Sequence, residues 1–248
     1  YGARFGDKVL QFDKAAIAQT FDEADNFENR RAIIYARNAC FDLARQVDAR
    51  YFLELDDDYT SFHIRYNRDG FYVSGTIRRH IDRLFDVCLT FLRKAQPVSF
   101  CISQGGDHIG GAGNNEPIRL LRKAMNTFFC DVERPFQFHG RINEDVNTYT
   151  TGGRRGELFL TAKQAQVNQL QTQSNAGGMT ETYIESGTYV KTFYSVIFCP
   201  SAVKVGLLGD PRSPHMRIHH NIDWNACAAK ILDPRWRKHG GPTDQVHA

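Results

Sequence analysis

Apolar residues recur along the chain with two periods, and the points where the period changes mark the elements. Ala36, Cys40, Leu43, Ala44 and Val47 follow helical spacing. Asp48-Ala49-Arg50 leads from that helix into a short apolar strand, Tyr51 to Leu55. A hairpin follows: Phe62 to Tyr66, the turn Asn67-Arg68-Asp69-Gly70, and Phe71 to Val73. Ile77, Ile81, Leu84, Phe85, Cys88, Phe91 and Leu92 form the inner stripe of a second helix, which Pro97 stops. Val98 to Ser103, Thr127 to Val132, Glu157 to Thr161 and Gln166 to Leu170 read as strands, and Val203 to Leu208 as the last long one. Asn143 caps a short helix with acids in its first turn. Val190 to Phe198 is an apolar, aromatic run that ends before Pro200. Residues 1–30 are polar, with Val9 to Phe12 as a short strand; Gln171 to Gly178 is a polar break, and the tail 239–248 is expected to be disordered. Helices alternating with strands predict an α/β fold, and with no repeat or internal boundary the expectation is one domain over residues 1–238.

Composition narrows the class. With 248 residues and 42% hydrophobic side chains the chain can build a sizeable core. Its 31 basic and 28 acidic residues leave only +3, so contact with a polyanion must come from a local patch. Six cysteines, Cys40, Cys88, Cys101, Cys130, Cys199 and Cys227, sit in apolar stretches without a CxxC pair. They read as buried thiols in a reducing cytoplasm, not as a zinc site or disulfide framework. No apolar run approaches the ~18 residues of a membrane span. The chain begins at Tyr1 instead of Met, and the expectation is that the native N-terminus, and with it a first strand, is missing.

The strand Tyr51–Leu55 runs into Asp56-Asp57-Asp58. Adjacent carboxylates repel one another, and in open α/β sheets the carboxyl edge is where ligands bind. A divalent cation with oxygen ligands would hold them together, and a diphosphate would complete its shell. Asp57 points away from its neighbours if strand geometry persists. The competing reading is a solvated loop. Asn143-Glu144-Asp145 is the second acidic station: an ordinary helix start, or a general base aimed at an acceptor hydroxyl.

The third station is Arg217-Ile218-His219-His220-Asn221-Ile222. Strand alternation puts Arg217 and His219 towards a polar site and His220 with the apolar Ile218 and Ile222. Gly105 to Gly113 is a mobile, glycine-rich loop, either an active-site lid or a linker; it is neither a P-loop nor a dinucleotide fingerprint. Basic residues cluster weakly at Arg119, Arg122 and Lys123, at Arg154-Arg155, and at Arg235, Arg237 and Lys238, and each cluster also reads as a solvated face.

These stations in this order resemble a family. Arg37-Asn38-Ala39-Cys40 with Phe52 to Tyr59, then Gly140 to Tyr149, then Arg217-Ile218-His219-His220 with Ile222 and Trp224, look like the TET/JBP-associated glycosyltransferases. Those are mostly phage-encoded and related to the base J glucosyltransferase. The resemblance implies a GT-A-like (Rossmann-like) mixed sheet flanked by helices. It implies transfer of a sugar from a nucleotide-sugar, UDP-glucose or similar, onto 5-hydroxymethylcytosine or 5-hydroxymethyluracil in DNA, with Mn2+ or Mg2+. Its metal site maps onto Asp56 and Asp58, with His219 or His220 as its histidine, and its catalytic acids map onto Glu144 and Asp145. Arg37, Asn38, Asp57 and Arg217 then fall to the donor, and Arg154, Arg155 and His108 to the acceptor. The setting would be a cytoplasm, that of the host if phage-encoded, with no membrane partner.

The residues alone leave other classes open: a GT-A enzyme acting on a glycan or protein, a metal-dependent phosphodiesterase, or a silent binding module. Against the phosphodiesterase, the acids are dispersed one motif per element and no HxH pair is present.

Overall fold

The structure is a computed structural model and describes residues 2–25, 30–114, 120–170, 189–209 and 216–227. The polar break at 171–178, Arg119, the cluster at 235–238 and the tail 239–248 lie outside these residues. The elements in order are α1 (Gly2–Phe5), α2 (Lys14–Ala18), α3 (Ile34–Gln46), β1 (Tyr51–Glu54), β2 (Tyr59–Tyr66), β3 (Tyr72–Thr76), α4 (Ile81–Ala95) and β4 (Ser99–Gln104). They continue with β5 (Leu120–Leu121), β6 (Phe128–Asp131), α5 (Glu144–Arg154), β7 (Phe159–Gln169), α6 (Val190–Phe198), β8 (Val203–Leu208) and β9 (Arg217–Ile222). A seven-stranded sheet in the order β1-β6-β4-β7-β2-β3, with β5 beside β7, forms the centre, and β8 and β9 pair separately. A mixed sheet flanked by helices in a single domain is compatible with the GT-A-like architecture expected from the resemblance.

Alternation along the strands divides the core into two layers. Phe52, Cys101, Phe128, Cys130 and Phe159 face Phe41 of α3 and Val146 and Tyr149 of α5. Leu53, Phe100, Ile102, Phe129 and Leu160 face Leu84, Phe85, Cys88 and Leu92 of α4. Leu92 is fully buried, and burying each such side chain contributes about 1.5–3 kcal/mol.

Pairing is antiparallel for β1–β6 and β4–β6 and parallel for β4–β7, so β1, β4 and β7 run the same way. Their carboxyl ends therefore share one edge. The aspartate run leaves β1 at that edge and is tied there, because the Asp58 carbonyl accepts from the Leu170 N–H just past β7 at 3.0 Å.

Several expectations are corrected. Val9 to Phe12 is not a strand: a 3-10 turn, Gly6–Lys8, precedes an extended link into α2. Four residues with no pairing partner gain no ladder hydrogen bonds. Glu157–Thr161 and Gln166–Leu170 are parts of one strand, β7, interrupted where Ile102 pairs with Ala162 but Ser103 pairs with Gln166. Lys163, Gln164 and Ala165 are the extra residues, and this bulge moves the upper half of β7 onto β2. Val203–Leu208 is a strand, but it pairs with β9 outside the main sheet. The glycine loop carries two 3-10 turns, Gly105–His108 and Gly111–Asn114.

The loop before α5 is fixed from three sides. The Gly140 and Arg141 N–H groups donate to the carbonyls of Asp22 and Glu23 at 2.8 and 3.0 Å. Arg141 grips the Asp25 carboxylate with two nitrogens, at 3.1 and 2.7 Å, and the Tyr194 hydroxyl of α6 bonds the same carboxylate. The Asn147 amide donates back to the His139 and Ile142 carbonyls at 2.9 and 3.0 Å. Gly140 has φ +74°, and a Cβ there would lie 2.5 Å from both the Asn147 amide nitrogen and a Phe198 ring carbon. Gly140→Ala is expected to cost about 1–3 kcal/mol of stability in urea unfolding, from overpacking and the left-handed backbone; an unchanged midpoint would show that the loop yields freely.

Candidate active site

The carboxyl edge gathers acids from two distant parts of the chain around one cation. α3 delivers Arg37, whose guanidinium lies 3.1 Å from Asp56 after β1 and 3.1 Å from Glu144 at the start of α5. The Asp56 contact is a hydrogen bond; the Glu144 contact is an ion pair without hydrogen-bond alignment. Arg37 is 4% exposed and lies over the Phe128 and Phe138 rings at 5.1 and 5.4 Å. Burial works against its charge, but Glu144, Asp56, Glu54 and Asp145 outweigh burial and raise its pKa.

The acids respond in the opposite sense. Burial pushes the Glu54 carboxyl up to about 8; Arg37 opposes this, and Asp56 and Glu144 add to it. Neither oxygen of Glu54 has a hydrogen-bond partner. Burial also raises Glu144, with Arg37 opposing and Asp145 adding. Asp145 is raised by burial against Arg37 and against the Val146 N–H, which donates to its carboxylate at 2.8 Å. Asp58 is raised by burial and by Asp56, and one of its oxygens is buried without a partner. Asp56 and Asp58 are half-buried while Asp57 is exposed, the alternation that an extended chain imposes. The Tyr59 hydroxyl, next to this run, is also buried without a partner.

Asn143 occupies the cap position of α5 in the left-handed region, φ 61°, which Asn tolerates. Its side chain makes no capping bond. Its amide instead donates to Ser195 Oγ of α6 at 2.6 Å and lies 3.5 Å from His220 Nδ1 of β9. Asn143 thus joins α5, α6 and β9, and Trp224 stacking on Tyr149 at 5.7 Å fastens the same junction.

His220 shares a face with Ile222, as alternation requires, yet that face is the one that meets the start of α5. The His219 and His220 rings lie 4.1 Å apart. Burial and His219 push His220 down to about 4; burial, Arg217 and Lys191 lower His219. Lys191, in the first turn of α6, is lowered by burial and Arg217 and held up by Asp145. It is therefore within electrostatic reach of both Asp145 and Arg217. Sequence reasoning passed over Lys191, whose signal is a lone charge in an apolar run, and Glu54, a lone acid among the apolar residues of β1.

Asn38 lies one residue from Arg37, but its side chain exchanges hydrogen bonds with the Phe138 backbone at 3.1 and 2.8 Å and braces α3. Of the three residues assigned to the acceptor, His108 follows the carboxyl end of β4, while Arg154 and Arg155 stand apart from the acids. His108 is buried, with Nε2 2.8 Å from Ser103 Oγ, pinning its turn to β4. Arg154 and Arg155 lie at the other end of α5, about 15 Å from Asp145 along the helix. Arg155 there lines a hollow of 440 Å³ with His139, Thr151 and Glu157.

The donor set fits a hard divalent cation in one respect: orphaned buried carboxylate oxygens on Asp58 and Glu54 lie beside Asp56. Among the described residues no group of three or more His, Cys, Asp or Glu closes into a full site. Further ligands would have to come from a diphosphate and water.

The raised pKa of Glu54 has a consequence for stability. The folded protein binds that proton more tightly than the unfolded chain, so the stability it contributes is present below about pH 4.3 and lost as pH rises towards 8. In chelator, Glu54→Gln is expected to melt with the wild type at pH 4.5 and about 2–4 °C above it at pH 8, an effect of about 1 kcal/mol. Coincident melting at pH 8 would contradict a buried, uncompensated carboxylate.

The sequence model of the TET-Associated Glycosyltransferase family matches residues 1–178. That span holds Arg37, the aspartate run, Glu144 and Asp145, and stops before α6, β8 and β9. No curated protein and no solved structure matches the chain. No helix among the described residues is long and apolar enough to cross a membrane. With the match covering well over half the chain, it belongs to the TET-associated glycosyltransferase family and is a glycosyltransferase.

Proposed function

We propose that the protein transfers a sugar from a nucleotide-sugar, UDP-glucose or a close analogue, onto the hydroxyl of a hydroxymethylated pyrimidine in DNA. The observation that carries this reading is the shared guanidinium: Arg37 brings Asp56 and Glu144 to one point at the carboxyl edge, with Asp145 beside them. Family membership supplies the reaction class, and the resemblance in the three motifs supplies the acceptor.

In this reading Asp145 is the general base. Its raised pKa suits proton acceptance near neutrality better than an ordinary aspartate would. The acceptor oxygen bonds to the anomeric carbon as the bond from that carbon to the diphosphate breaks, and the acceptor proton passes to Asp145. Glu144, held by Arg37, is placed to orient the donor sugar. Lys191 and Arg217 offer positive charge to the departing diphosphate from the other wall. Asp56 and Asp58 are the residues that would hold Mn2+ or Mg2+, whose chemistry there is to neutralise a diphosphate. A target base within a duplex has to leave the stack to reach the acids.

Intact-mass analysis of nucleosides from hydroxymethylated DNA, incubated with the protein and a panel of nucleotide-sugars, tests the proposal. A nucleoside heavier by one sugar residue is the expected result. Donor turnover with no DNA product, and transfer onto a glycan or protein instead, would overturn the acceptor.

Asp145→Asn keeps the shape of the side chain and removes only the base. Donor affinity by calorimetry is expected to hold while turnover falls by at least ~100-fold. Retained turnover in a folded variant would exclude Asp145 as base.

A further inference from the structure

On the opposite side of the sheet from Arg37, the link from β3 into α4 is basic. Arg78, Arg79, His80 and Arg83 are exposed. Among the described residues none of these arginine side chains makes an ion pair or hydrogen bond. Arg45 and Arg50 are matched, to Asp42 and Glu133, while Arg93, Arg154 and Arg155 are exposed and lack such a partner too; what sets this link apart is that three such arginines lie close together beside an apolar hollow. Asp82 and Asp86 lie on the same helix and take neither role.

The patch is joined to the aspartate run through β2. The Ile77 N–H donates to the Phe62 carbonyl at 2.8 Å, and Phe62 follows Asp58 by about 13 Å of extended chain. Arg83 also rims a hollow of 390 Å³ whose walls include Ile64, Ile77, Leu84 and Val87. Val87 is 67% exposed, so this apolar surface faces solvent. One polar group interrupts it: Gln164, in the β7 bulge, lines the hollow with its side-chain oxygen buried and unpartnered.

Each feature narrows the occupant. Unpaired arginines suit phosphates, which their planar forks bind with two bonds. Apolar walls suit a flat ring, and an orphan acceptor calls for a donor such as the exocyclic amine of a base. An acyl chain would leave the Gln164 oxygen unsatisfied.

We propose that this face is where the acceptor nucleic-acid strand docks, with Arg78, Arg79 and Arg83 on its phosphates and one base, not the one being modified, in the hollow. The inference rests on the reading of DNA as acceptor. It places the strand at the β3–α4 link and not at Arg154 and Arg155.

Anisotropy of a labelled duplex, titrated with the full-length protein over a series of salt concentrations without donor, tests it. The double variant Arg78→Gln/Arg79→Gln is expected to lower the slope of log affinity against log salt by about 1.8, two contacts at about 0.9 each. Gln164→Leu is expected to weaken binding about 2–10-fold at unchanged slope, as loss of one hydrogen bond does. Donor hydrolysis without DNA should be equal in all three proteins. An unchanged slope in a double variant that still hydrolyses donor would overturn the docking surface alone, and so would a loss of donor hydrolysis in that variant. Loss of binding to phosphatidylserine vesicles with DNA binding retained would assign the arginines to a membrane and overturn it too. A wild type that sugars a glycan and binds no DNA would overturn the acceptor reading first, and this inference with it.

Discussion

One buried guanidinium has to compensate several buried carboxylates, and the rest of the site is arranged around that constraint. Arg37 contacts Asp56 and Glu144 and feels Glu54 and Asp145. Removing charges from water costs several kcal/mol for each ion unless a partner repays it. A single positive charge cannot repay four negative ones. The excess appears as carboxyl groups pushed upwards and as oxygens without partners on Glu54 and Asp58. The arrangement is under-neutralised, and a further cation would relieve it. In the proposed reaction such a place serves an anionic leaving group and an ionisable base.

Geometry is held by contacts from outside the acids. The N-terminal segment grips the loop before α5 through Asp22, Glu23 and Asp25, so residues ahead of the first sheet strand fix the position of Glu144 and Asp145. Asn143 links the same point to α6 and β9. The far wall, with Lys191 and Arg217, is therefore registered to the acids by one amide and one aromatic stack. This economy explains why the β8–β9 pair can stand apart from the main sheet and still contribute to the site.

Much of the fold was legible because alternation and helical spacing report burial directly. α3, β1, the β2–β3 hairpin, α4, β4 and β6 all lie where the apolar pattern puts them. The failures have physical causes. Val9 to Phe12 carries strand residues but finds no neighbouring strand. The β7 bulge is set by pairing with two different neighbours, which no local pattern encodes. Of the site, the aspartate run and Glu144-Asp145 stood out as charge where apolar residues stop. The role of Arg37 as shared counter-ion did not, because convergence of Asp56 and Glu144 is a tertiary fact. Lys191 and Glu54 were hidden in apolar runs, where one charge is easily passed over. Glycine content at Gly105–Gly113 left a lid and a linker equally open, and gave no sign that His108 buries itself against Ser103.

Coupling between Arg37 and Glu144 measures the central constraint most directly. A double-mutant cycle of Arg37→Met and Glu144→Gln, followed by urea unfolding at pH 7.5 in chelator, isolates it. The account predicts that Arg37→Met alone costs about 3–5 kcal/mol, since it strands buried charge. Adding Glu144→Gln should restore part of that loss, a coupling of about 1–3 kcal/mol. Additive effects of the two substitutions would contradict the account, because the guanidinium would then not be what allows the acids to gather.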